Sequence, residues 1–111
     1  MDKELLKGTT PILILRLLES SDMYGYQIIK ELEEKSENVF VLKEGTIYPI
    51  LHMLERQGVI EAYWEDTQSL RKRKYYRITE NGVKFLNEKM NEWFKYSNAV
   101  KNVFGGAVNE R

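Results

Sequence analysis

Cysteine is absent from all 111 residues. That excludes disulfides and thiolate metal sites and makes a reducing compartment the default. Histidine occurs once, as His52, so no metal site built on histidines can form. The seven glycines are scattered along the chain and compose no phosphate-cradling loop. No apolar run approaches the roughly 20 residues needed to span a bilayer. The opening Met1-Asp2-Lys3-Glu4 lacks the basic-then-apolar pattern of a secretory signal. The expectation is a cytoplasmic protein without membrane contact. Carboxylates are plentiful, but most fall on helix faces predicted to be exposed, and neither an enzyme nor a cofactor is expected.

Net charge is missing too, since 17 Lys/Arg balance 17 Asp/Glu. The balance hides a division. Residues 1–66 hold 7 cations and 13 acids (−6), whereas residues 67–111 hold 10 and 4 (+6). Arg71, Lys72, Arg73, Lys74 and Arg77 fall in one seven-residue stretch that contains no acid. A nucleic-acid binder needs only such a local patch, because binding occurs where phosphates meet cations. A charge run is also what a solvated face looks like, so its place in the fold decides its meaning.

What is present is strongly periodic. Thr10 is a candidate N-cap with Pro11 at the first helical position, opening the nearly all-apolar ILILRLLES. A helix without a polar face must be covered on more than one side, by its own domain and by something else. Ser20-Ser21-Asp22 breaks it and can cap a second helix over 24–35, whose apolar stripe is Ile28, Ile29 and Leu32. A third helix is expected over 44–57, with Pro49 in its opening turns, Ile47, Ile50, Leu51 and Leu54 buried, and Gly58 as its stop. The period then changes. Residues 60–65 and 73–79 read as two strands around a polar tip, 66–72. Thr79 caps a long last helix with Glu80 in its first turn, Gly105-Gly106 end it, and the last five residues are expected to fray.

The expected fold is therefore mainly α with a small antiparallel β-hairpin, a winged helix-turn-helix over 1–78 followed by a dimerisation helix over 79–111. In such folds the third helix enters the major groove and the hairpin touches the flanking backbone. Thr46, Tyr48 and His52 then stand near the reading head, and the RKRK run lies on the wing. Two readings of Thr46 and Tyr48 stay open: contacts to phosphate or base edges, or a mere cap and a core residue. In the last helix Val83, Leu86, Met90, Trp93, Ser97, Val100 and Phe104 recur at steps of three and four, a heptad seam suited to a second copy. Leu86, Met90, Trp93 and Val100 are the expected dimer contacts. A domain this small gains by such pairing.

The segments YGYQIIKEL, EGTIYPILHMLERQGVIEAYWE and RKRKYYRITENG, with the later Trp93, resemble PadR-like transcriptional regulators over about residues 8–103. The resemblance implies a homodimer on a pseudo-palindromic double-stranded DNA operator, acting as a repressor released by a small molecule. It places Tyr24, Thr46, Tyr48 and Pro49 near DNA, with Lys72, Arg73 and Lys74 on the wing. Met53 departs from the arginine that members often carry there. The resemblance also implies a site for a planar aromatic effector at Trp93, whose alternative role is a plain dimer-core anchor. The rival to DNA binding is a winged-helix adapter for protein contacts, which would have no use for five wing cations.

Overall fold

A computed structural model describes residues 2–69 and 71–105. Residue 70 of the expected hairpin tip, Gly106 and the expected frayed end lie outside them. The elements are α1 (Lys3–Lys7), α2 (Thr10–Ser20), β1 (Met23–Tyr24), α3 (Gly25–Lys35), α4 (Glu44–Arg56), β2 (Ile60–Asp66), β3 (Lys72–Ile78) and α5 (Glu80–Val103). This is a winged helix: a helical body, a three-stranded antiparallel sheet ordered β1-β3-β2, and a long last helix. No described helix is long and apolar enough to cross a membrane.

Two elements are absent from the sequence reading. α1 spans five residues, too few to show a period, and is held by the Asp2 carboxylate accepting from Glu4 N–H at 2.8 Å. β1 spans two residues and exists only through its pairing with β3, Met23 opposite Tyr76 and Tyr24 opposite Tyr75. Its presence moves the start of α3 from Tyr24 to Gly25 and takes Asp22 away from capping, because the cap position is Tyr24. The α2 cap is likewise Thr9, and the buried Thr10 hydroxyl donates to the Leu6 carbonyl instead.

The core follows the predicted stripes. Ile14, Leu15 and Leu18 of α2, Ile28 of α3, Ile47, Leu51 and Leu54 of α4, Ile60 of β2 and Leu86 of α5 are fully buried. Each such side chain contributes about 1.5–3 kcal/mol by leaving water. α2 is the hub: α3, β3 and α5 all pack on it within one protomer. Pro49 is the sixth residue of α4, not one of its first four, so the Gly45 carbonyl loses its intrahelical partner while the helix continues. α4 stops as expected at Gly58, whose positive φ of 75° suits glycine. Val59 N–H bonds Leu54 O and Gly58 N–H bonds Glu55 O, which satisfies two of the helix's last carbonyls.

Thr79 caps α5 as expected. Its Oγ1 accepts from Gly82 N–H at 3.0 Å and donates to the Gly58 carbonyl at 2.7 Å, while its N–H bonds Val59 O. One residue thereby ties the end of the wing, the exit from α4 and the start of α5.

Candidate nucleic-acid interface

The opening of α3 is where the parts meet. Tyr24 pairs with Tyr75 of β3, which attaches the wing, and the next residue, Gly25, lies directly under the Tyr48 ring of α4. A methyl group at Gly25 would come within 2.5 Å of the Tyr48 hydroxyl oxygen. The first turns of α4 and the wing thus converge on Tyr24-Gly25, a contact that no spacing in the sequence announces. Tyr48 is half-buried, and packing against Gly25 is what its ring does.

On α4 the exposed residues Gly45, Pro49, His52 and Arg56 recur at steps of four, three and four and share one face. Thr46, also exposed, stands beside them in the first turn. Thr46 is not the cap: that position is Lys43, which makes no side-chain cap bond, so the Glu44 and Gly45 N–H groups are open to an acceptor, whereas Thr46 N–H already bonds the Lys43 carbonyl. Glu44 in the same turn works against an anion there. Arg56 was not anticipated, although its helical spacing from His52 could have found it. So was Tyr26, half-exposed in the first turn of α3 with Lys30 Nζ 5.6 Å from its ring centre.

The hairpin splits the cation run between two faces. Ile60, Ala62 and Trp64 of β2 oppose Ile78, Tyr76 and Lys74 of β3, with Asp66 opposite Lys72 at the outer end. The inner part of this face enters the core, and its outer part carries Trp64, 62% exposed. The other face pairs Glu61 with Arg77, Tyr63 with Tyr75 and Glu65 with Arg73. Lys72 and Lys74 therefore point away from Arg73 and Arg77. The acids of β2 also temper the patch, since Arg77 is held by Glu61 at 2.9 Å. Thr67 closes the tip by bonding the Arg71 carbonyl through its N–H and its hydroxyl.

The second face is aromatic as well as charged. The Arg73 guanidinium lies 4.1 Å from the centre of the Tyr24 ring, which meets Tyr75 edge-on at 5.5 Å. Tyr75 stacks on Tyr63 at 5.8 Å, and Arg77 lies 5.0 Å from the Tyr63 centroid. Tyr24, expected near DNA, is thus half-covered by a wing arginine. The Tyr63 hydroxyl donates to Asp22 Oδ2 at 2.6 Å. That bond to a carboxylate, with lesser help from desolvation and nearby acids, pushes the Tyr63 phenol up to about 12. Burial does the same for Tyr76, also to about 12.

The expected seam on α5 is divided by the fold. Leu86 is fully buried in the protomer's own core and Met90 packs against that core, so Leu86 is not available to a second copy. Placing it on a dimer contact is corrected by this burial: its heptad position points at α2. Beyond Met90 the helix carries exposed apolar side chains, Trp93 at 39%, Phe94 at 54% and Phe104 at 68%. Val100 is half-buried along the same stretch.

The chain is similar to known proteins along most of its length. Residues 14–88 match the Transcriptional regulator PadR-like family. An uncharacterised protein of Lysinibacillus sphaericus is 42% identical over 90 residues, 81% of this chain and 83% of that one. Transcriptional regulator YqjI of Escherichia coli is 31% identical over 81 residues, which are 73% of this chain but 37% of YqjI. The solved structure of a transcriptional regulator from Clostridium thermocellum superposes with a TM-score of 0.83 at 34% identity, covering 95% of this chain and 98% of the other.

Proposed function

The chain belongs to the PadR-like family of transcriptional regulators, and from that premise we propose that it is a homodimeric repressor of a pseudo-palindromic operator, released by a small-molecule effector. DNA-binding regulation of transcription is the family's business; the dimer, the operator symmetry and the effector are the proposal, as is work in the cytoplasm. Residues 1–78 are assigned to DNA binding and 79–111 to dimerisation.

The observation that carries the reading is the convergence of α4 and the wing on Tyr24-Gly25. It gives one head with an exposed helix face (Thr46, Pro49, His52, Arg56) and a cationic hairpin (Lys72, Arg73, Lys74). The helix face reads bases and the hairpin grips phosphates. Two heads related by a two-fold axis read an inverted repeat. The uncovered aromatics of α5 supply the surface for that pairing, since a monomer has little reason to leave Trp93, Phe94 and Phe104 in water.

Selection of DNA fragments by the purified protein tests this directly. The expected product is an inverted repeat with half-sites one helical turn, about 10 bp, or a multiple of it apart. A lone asymmetric site, or no enrichment at low salt, refutes the dimeric reader. Repression rather than activation follows the family resemblance.

Trp93 is the proposed effector contact. It is partly exposed on the face left for a second copy and meets Phe94 edge-on at 5.4 Å. Two copies of this pair near the axis can part to admit a planar aromatic molecule. With Trp64→Phe removing the other indole, Trp93 fluorescence should quench saturably at micromolar ligand while operator binding weakens. No quenching across a broad panel of planar compounds leaves Trp93 as a dimer-core anchor.

A further inference from the structure

The outer half of the wing is weakly rooted. The inner half of the hairpin is held in the core by Ile60, Tyr76 and Ile78, but its strand pairing to the body is that of β3 with β1, which is two residues long. β2, on the far edge of the sheet, gains nothing from that pairing. The outer half, Trp64–Asp66 with Lys72–Lys74, extends past the last β1 partner. Beyond that point the two-stranded ribbon is marginal by itself and free to change its angle.

A side chain of β2 reaches the helical body. Tyr63 on β2 lies over Tyr75 of the central strand, rings 5.8 Å apart and inclined by 18°, and its hydroxyl reaches Asp22 Oδ2 at 2.6 Å. Asp22 sits in the turn joining α2 to β1, so the bond ties the outer edge of the sheet to the helical body beside the root. Arg77, itself held by Glu61, lies over the same Tyr63 ring. Arg73 lies over Tyr24 at the other end of the tyrosine series. The series Tyr63–Tyr75–Tyr24 thus carries a wing arginine at each end.

We propose that the Asp22–Tyr63 hydrogen bond is the lock that sets the wing's angle to the helical body, which makes both residues positioning residues for DNA binding. The proposal rests on the DNA-binding reading above. A bond between a phenol and a carboxylate is among the stronger neutral-to-charged contacts. Without it the wing samples several angles, and only molecules with the right one bind. The apparent affinity then falls by that fraction, while the phosphate contacts of the bound state are unchanged.

The test is a double-mutant cycle on full-length protein, read as DNA affinity across a salt series. Tyr63→Phe keeps the stacked ring and deletes the hydroxyl. It should weaken binding by about fivefold with an unaltered salt slope. Asp22→Ala should match it, the double variant should be no worse than either, and Asp22→Asn, which still accepts a hydrogen bond, should restore most of the affinity. Wild-type affinity in Tyr63→Phe, or additive losses in the double variant, overturns the lock. A flattened slope in Tyr63→Phe does so too, since it marks a lost phosphate contact. Amide exchange in the free protein separates this from failure of the DNA reading. Residues 63–66 and 72–75 should exchange faster in Tyr63→Phe whether or not the wild type binds DNA, and unchanged exchange also overturns the proposal.

Discussion

Replacing Gly82 by alanine is expected to destabilise the protein by about 3 kcal/mol or more, at or beyond the upper end of core overpacking. A Cβ at this position falls well inside van der Waals contact with the Val59 carbonyl oxygen and lies 2.7 Å from Ile78 Cγ1. The oxygen cannot step aside. It accepts from Thr79 N–H, and the next residue, Ile60, is paired with Ile78 in the sheet. Relief requires α5 to lift off Val59 and Ile78, which breaks the Thr79 hydroxyl bond to Gly58 and pulls Leu86 from the core. Helix propensity alone predicts the opposite sign, since alanine is favoured over glycine by about 1 kcal/mol inside a helix. Gly45 is the control. It lies in α4, a Cβ there would meet nothing within 4 Å, and Gly45→Ala should be neutral or stabilising. Against a total stability of about 5–15 kcal/mol for a small domain, the Gly82 effect is readily seen in denaturant titration. A Gly82→Ala midpoint equal to wild type would mean that the wing–α5 junction is not rigid.

The largest effect on binding is expected from Arg73→Ala combined with Lys74→Ala. In a dimer this removes four cations. If all four meet phosphates, the salt slope flattens by about 0.9 log unit for each, and affinity at 0.1 M salt falls on the order of a thousandfold relative to an extrapolation at 1 M. The loss should be equal on operator and on random DNA, because phosphates carry no sequence. The two residues lie on opposite faces of β3, so the single variants divide the loss between the two faces. Arg77→Ala should change little, since that guanidinium is engaged by Glu61 within the hairpin. Unchanged affinity and slope in the double variant would remove the wing from the DNA interface and favour the protein adapter.

The two variants also separate two kinds of information. The Thr79 cap, the Gly58 stop, the apolar stripes of α2, α3 and α4 and the change to strand period after residue 59 are local, and each follows from residues within a few positions of one another. The family follows from the same local blocks. The candidate site was legible to the same depth: Thr46, His52 and the wing cations could be named because helix order and a charge run place them, and Pro49 through the family resemblance. Tyr48 was named as well, but its ring against Gly25 belongs to a contact 23 residues apart in the chain.

Pairing between distant segments made the remaining decisions. β1 has no propensity signal in two residues and is a strand because Tyr75 and Tyr76 lie beside it. Asp22 reads as a helix cap until the sheet brings the Tyr63 hydroxyl to it. Leu86 fits a dimer heptad, yet α2 buries it, because a period of 3.5 says which residues share a face and not what that face meets. The RKRK run reads as one patch until the pleat turns alternate residues to opposite sides. The sequence by itself determined the elements, their caps and the family, since short-range sterics and hydrogen bonding set those. Only the tertiary structure decided which face each side chain uses, because that depends on partners distant in the chain, 41 residues apart in the case of Asp22 and Tyr63.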